Sequence, residues 1–341
     1  MTDTAVAPID LDFIRSLPKA ELHLHLEGTL EPDLKLRLAE RNGIDIGQST
    51  VEEVEATYQF DSLASFLAVY YPAMNVLQTA DDFYELAWAY LQRAAADGVR
   101  RAEMFFDPQA HTSRGVSFDT VIEGYHRAVE QANTEGVDGR PMSAALIMCF
   151  LRDMSAESAA ETLQLSLAHT DKILGVGLDS DERGNPPRKF AEVFAAAREA
   201  GFLLTMHCDI DQEGSIDHIG QVLHDIEVDR IDHGTNIVEN PELVALAKER
   251  GMAFTCCPVS NSFVTDDMKA REIVDLLREG VRVTVNSDDP AYFGAYVAEN
   301  YLRLAEKADL TADDLRRLAA NSIEASWLSR EEKDALLAEM P

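Results

Sequence analysis

Cysteine is scarce in this chain. Four occur among 341 residues (Cys149, Cys208, Cys256 and Cys257), none in Cys-x-x-Cys spacing and all within apolar, strand-like runs. That excludes a disulfide framework and reads as reduced, buried thiols of an intracellular protein. Basic residues are few as well: 30 Lys and Arg stand against 61 Asp and Glu, a net charge of −31. Such a balance repels nucleic acid and anionic membrane surfaces, so neither is expected as a partner. No apolar run reaches membrane-spanning length. Residues 1–10 lack the basic and apolar regions of a secretory leader. A soluble, cytoplasmic protein is the expectation. Internal repeats, low-complexity segments and interdomain linkers are also missing, so one domain is expected over residues 1–341. The 46% of hydrophobic residues suffice for its core.

What is present is a recurring strand–helix unit. Apolar runs bounded by turn residues predict strands at 21–26, 101–106, 143–150, 173–179, 202–207, 230–233, 252–257 and 281–286. Amphipathic segments separate most of them, and those at 190–200, 240–249 and 269–279 run into Gly201, Gly251 and Gly280, as helices do at their ends. Strands alternating with helices imply a parallel sheet, and eight such units predict an α/β fold, a closed (β/α)8 TIM barrel. Residues 29–98, between the first two strands, are too many for one crossover helix. They are expected to form a helical insertion, with Phe66, Leu67, Tyr70 and Tyr71 lending apolar walls to the barrel mouth.

Polar residues fall where such a barrel places its chemistry. The apolar runs end in His25, Asp107, Asp179, His207, His233, Ser260-Asn261 and Asp288-Asp289, and barrel enzymes draw catalytic groups from the C-terminal ends of several strands. His23 and His25, two apart on one strand, point to the same face. With His207 after strand five and Asp288 after strand eight they make three imidazoles and one carboxylate. That set suits zinc with one position left for water. The ion would lower the pKa of that water toward neutrality, and His233 is placed to orient or deprotonate it.

These residues resemble a known family. Pro18-Lys19-Ala20-Glu21-Leu22-His23-Leu24-His25-Leu26-Glu27-Gly28 is similar to the opening motif of the adenosine/adenine deaminases of the amidohydrolase superfamily. Ile231-Asp232-His233-Gly234, Cys257-Pro258-Val259-Ser260-Asn261 and Val285-Asn286-Ser287-Asp288-Asp289-Pro290 resemble its later motifs, in order. The likeness runs from about residue 17 to 305. It implies a barrel holding one Zn2+ and hydrolytic removal of an amino group from C6 of a purine, a small-molecule substrate. By that resemblance His23, His25, His207 and Asp288 hold the metal, His233 assists the water, and Asp289 bonds purine N7. The segment 177–187, with Glu182, and the segment 286–294 resemble the adenine-deaminase branch. Glu182 and Phe66 are accordingly expected to touch substrate, and the free base adenine is favoured over a nucleoside.

One position departs from the family. Its strand-five motif is His-Ala-Gly-Glu, in which the glutamate protonates N1, whereas this chain reads His207-Cys208-Asp209-Ile210-Asp211-Gln212-Glu213. Ile210 occupies the glutamate position and cannot carry a proton. If the strand continues, Asp209 and Asp211 share the face of His207 by period-two alternation. Either could supply the acid, Asp209 slightly ahead, with Glu213 further into the loop. Adenosine or an N6-substituted adenine is the alternative substrate, and a purine-binding protein without turnover the remoter reading. The zinc deaminases with His-x-Glu and Pro-Cys-x-x-Cys are excluded, since Cys256-Cys257-Pro258 lacks that spacing.

Overall fold

Eight parallel strands alternate with helices through the computed structural model, which describes residues 9–265 and 267–341. Of the stretch read for a leader, residues 1–8 lie outside the described residues. The strands are β1 (Lys19–Glu21), β2 (Val99–Phe106), β3 (Ser143–Leu151), β4 (Ile173–Asp179), β5 (Leu203–Cys208), β6 (Arg230–His233), β7 (Ala253–Cys256) and β8 (Arg282–Val285). They pair in sequence order, each parallel to the next, as consecutive β–α–β units require. Apolar side chains fill the interface between strands and helices, and one continuous core reaches from Ile14 to Ala319.

The first strand differs from expectation. Its regular part covers Lys19–Glu21 only, and the predicted stretch 21–26 continues as single bridges to both neighbours. Leu22 donates its amide hydrogen to the Asn286 side chain at 2.9 Å instead of to main chain. Beyond it His25 donates to Asp288 O at 2.9 Å and Asp288 to His23 O at 3.1 Å, while Phe105 donates to Leu24 O at 2.9 Å. These bonds join the end of β8 to the chain following β1, bringing the sheet to a nearly closed barrel. Leu22, Leu24 and Leu26 pack into the apolar core while His23 and His25 meet at the rim, so the two sets face opposite sides although the ladder is irregular.

The 29–98 insertion carries helices at Pro32–Asn42, Val51–Glu55, Leu63–Ala73 and Ala80–Ala96. Ala80–Ala96 lies along Phe118–Glu135 and β2, as an outer barrel helix does. Leu63–Ala73 instead sits at the barrel mouth, begun by a reciprocal cap in which Ser62 and Ser65 bond each other's backbone amides. Its inner side carries Phe66 and Tyr70, both buried.

Candidate active site

Four side chains converge at the C-terminal rim. His25 Nε2 stands 3.2 Å from His207 Nε2 and 3.4 Å from Asp288 Oδ1, and His23 Nε2 is 3.2 Å from the same oxygen. Ligand atoms about 2.0–2.1 Å from a tetrahedral zinc stand about 3.3 Å apart, so the four already have the spacing that one such ion imposes. His23 Nε2 is buried and has no hydrogen-bond partner among the described residues, as expected of a ligand nitrogen. The predicted set thus fits the metal. His233 joins it, with Nε2 3.8 Å from Asp288 Oδ2. Burial, aided by His23, pushes the His233 ring down to about 4, which leaves it neutral and able to accept a proton at neutral pH.

Backbone strain marks the same two positions. His233 (φ 55°) and Asp288 (φ 65°) adopt left-handed conformations, which cost free energy for residues with a Cβ and cluster where geometry serves function. At His233 this breaks the alternation of β6. Asp232 faces the barrel interior, yet its neighbour also lines the site.

Behind the ligands lies a layer that the sequence reading did not find. Thr255 Oγ1 is 2.8 Å from His23 Nδ1 and donates to Asp232 Oδ1 at 2.7 Å, while Thr205 donates to Asp232 Oδ2 at 2.6 Å. Asp232 Oδ2 is also 3.6 Å from His207 Nδ1. One buried carboxylate therefore backs two ligands, and such partners fix ring orientation and tautomer. The signal was available in part: Thr205 is a polar residue in an apolar strand, in phase with His207.

A cavity opens over this rim. Its floor includes His25, His207, His233, Asp288 and Asp289, and its walls include Phe66 and Tyr70 from the mouth helix and Phe293 from the far side. Phe66 packs against Tyr70 and Phe293 at centroid distances of 4.9 and 5.0 Å, making an apolar wall suited to a flat ring. Asp289 is seated against Gly28, where a Cβ would lie 2.1 Å from Asp289 Oδ1. Only glycine fits that approach.

Of the three candidate acids, Asp209 and Asp211 line the cavity and Glu213 does not. Asp209 Oδ2 is buried without a partner among the described residues, and burial, reinforced by Glu182, raises its carboxyl well above the usual range. Burial also raises Asp211, with Arg183 opposing it. Ile210 turns into the same cavity as an apolar residue. Glu182 differs from expectation: it does not line the cavity. It is held behind Asp209, whose amide it accepts at 2.6 Å, by Arg152 at 3.4 Å and His218 at 2.5 Å. A carboxylate with three such partners has its oxygens engaged away from any substrate.

A family model described as adenosine deaminase matches residues 18–341. The chain belongs to that family. It is accordingly a metal-dependent hydrolase of the amidohydrolase type. This deaminase-family chain is 48% identical over 323 residues to the adenine deaminase of Vibrio parahaemolyticus, covering 94% of each. Its fold matches the crystal structure of an adenine deaminase from Arthrobacter aurescens with a TM-score of 0.89 and 44% identity, over 95% of this chain and 98% of that one. An amidohydrolase from Burkholderia ambifaria, solved with bound Zn, superposes with a TM-score of 0.87 at 28% identity, over 98% and 93% of the two chains.

Proposed function

We propose that this chain hydrolyses adenine to hypoxanthine and ammonia, using one zinc ion held by His23, His25, His207 and Asp288. The observation that carries the reading is the convergence of that ligand set, His233, Asp289 and Asp209 on one cavity with an apolar wall. Bound zinc would act as a Lewis acid, bringing the pKa of a water toward neutrality. The neutral His233 ring accepts that water's proton as its oxygen adds to C6. Negative charge then develops on N1, and Asp209, whose carboxyl burial and Glu182 push well above the usual range, gives N1 a proton. Asp289, whose carboxyl burial and Asp288 push well above the usual range, donates to N7 and fixes the plane of the ring. His233 then returns its proton to the amino nitrogen, the C6–N bond breaks with loss of ammonia, and the C6 hydroxyl gives its proton back to Asp209 as the C6 carbonyl of hypoxanthine forms. The relatives named adenine deaminases support the free base as substrate. The four cysteines, all buried and unpaired, suit a cytoplasmic setting.

The zinc-loaded protein mixed with adenine should release ammonia and shift the purine absorbance to that of hypoxanthine, with adenosine turned over far more slowly. Preferred turnover of adenosine or an N6-alkylated adenine would reassign the substrate. Tight binding with turnover at background would refute the proposal.

A further inference from the structure

One carboxyl in the cavity has no task in the chemistry above. Asp107 ends β2 and is 1% exposed. It lines the cavity, its carboxyl is paired with that of Asp179, and its Oδ1 takes no other hydrogen-bond partner among the described residues. Its side chain does not cap the short helix Pro108–Thr112 that follows. Two neighbouring carboxyls have closer contacts of their own. Asp179 Oδ2 is 3.3 Å from His25 Nδ1 and orients that ligand. Glu27 does not line the cavity, and its Oε1 takes His111 at 2.8 Å and the Tyr125 hydroxyl at 3.0 Å. A buried polar oxygen without a partner is costly, and in a cavity such an oxygen is completed by the ligand.

Its position says which part of the ligand. The His25 ring spans the gap: Nε2 faces Asp288 in the ligand set, and Nδ1 faces Asp179 on the other side. Oxygens of Asp107 and Asp179 cluster with His25 within 4.8 Å. Asp107 thus stands about one imidazole ring removed from the metal ligands. A purine whose C6 meets the ligand set, with N1 and N7 held by Asp209 and Asp289, extends its remaining edge, N3 and N9, away from them by a similar reach.

We infer that Asp107 sets the preference for the free base, its carboxyl accepting the hydrogen that adenine carries on N9 and that every 9-substituted purine lacks. The inference rests on the 6-aminopurine reading and deepens it. A carboxyl oxygen accepts a hydrogen bond in either protonation state, so no particular charge on Asp107 is needed. A 9-substituted purine forfeits the bond and leaves a buried carboxyl unpaired. Sites built around such a hydrogen bond reject the analogue lacking it by factors of about 10⁴–10⁵.

The test compares kcat/KM for adenine and 9-methyladenine in the wild-type protein and in Asp107→Leu, which keeps the bulk and removes the acceptor. Wild type should favour adenine by at least about 10³-fold, and the variant should narrow that ratio at least about 100-fold, chiefly by losing adenine. Unchanged selectivity in a folded, zinc-replete variant overturns the inference, and so does an equal loss on both substrates. Should the variant fail to fold, a crystal structure of the wild type with hypoxanthine decides: N9 belongs within about 3.2 Å of Asp107, and a wider gap with N9 facing another group rejects the assignment. Failure of the wild type to deaminate adenine at all would sink the parent reading instead, which is a different result.

Discussion

Glu182 accepts the amide hydrogen of Asp209 at 2.6 Å through Oε2, while its Oε1 meets His218 Nδ1 at 2.5 Å. Arg152 ties into the same brace, donating to His207 O at 2.9 Å, and Asn236 holds Ile210 O at 3.0 Å. The end of β5 and the loop after it are therefore fastened at His207, Asp209 and Ile210, which carry a proposed metal ligand, a carboxyl and an apolar wall. A fixed loop of this kind can replace a longer acid with a shorter one, because the backbone brings Asp209 to the cavity.

Asp209→Asn should lower kcat by about 10²–10⁴ while KM changes little, since the lost proton transfer matters only in the transition state. Asp211→Asn should cost less than tenfold, on the order of a rearranged loop contact. Steady-state kinetics on both proteins, with zinc content measured in parallel, separates the two acids. The assignment to Asp209 is wrong if its variant keeps wild-type kcat.

Glu182→Gln keeps one acceptor but weakens the pull on Arg152 and His218. A roughly tenfold drop in kcat with full zinc occupancy is expected, the size of effect seen when a group that orients another is perturbed. If KM alone rises, Glu182 contacts substrate after all.

How much of this could be read beforehand follows from distance along the chain. His23 and His25 announce themselves because two side chains on one strand need only local spacing, and His207, His233 and Asp288 because each ends an apolar run on a common rim. Phe66 was legible through helical periodicity. Asp232 and Thr255 were not, although they touch His207 and His23: Thr255 meets Asp232 across a 23-residue separation and His23 across 232, and no local pattern encodes that register. Glu182 was misplaced for a related reason. Its segment follows a strand end, where substrate contacts are common, but Arg152 and His218 from other elements draw its carboxylate behind the loop.

Thr255→Val should weaken zinc binding by about 10–100-fold, the usual cost of losing a partner behind a ligating histidine. The substitution is close to isosteric and leaves all four ligands in place. Competition against a chelator of known affinity reads it directly. An unchanged affinity would mean that Asp232 alone orients the His23 ring. Removing the metal from the wild type with a chelator should abolish turnover, and added zinc should restore it.

Beneath the site, Glu103 holds a buried cluster together, in which Arg230 Nε lies 4.0 Å from Asp232 Oδ1. Its Oε2 accepts from Arg230 Nη1 at 2.7 Å, and its Oε1 from Arg101 Nε at 3.1 Å and the Trp327 amide at 2.7 Å. Glu103→Ala strands a fully buried guanidinium, which typically costs about 3–5 kcal/mol. Denaturant unfolding should show that loss. A change below about 1 kcal/mol would imply that water reaches Arg230.

Lys19 gives the fold a pH dependence of its own. The residue is fully buried, and its Nζ donates to Asp97 O at 2.6 Å. Burial brings its pKa down to about 7, against the opposing pull of Asp97 and Glu21, whereas an unfolded lysine titrates near 10.4. Between those values the unfolded chain holds a proton that the native chain lacks, so stability rises with pH through that window. Below about 7 both states carry the proton and the contribution is flat. Glu21 titrates near 7 in the native state, so the clean range for measurement is pH 8–10. There the stability of the wild type relative to Lys19→Met should climb by up to about 1.4 kcal/mol per pH unit. Urea unfolding at several pH values measures it, and a difference that stays level from pH 8 to 10 would mean that Lys19 keeps its charge inside the fold.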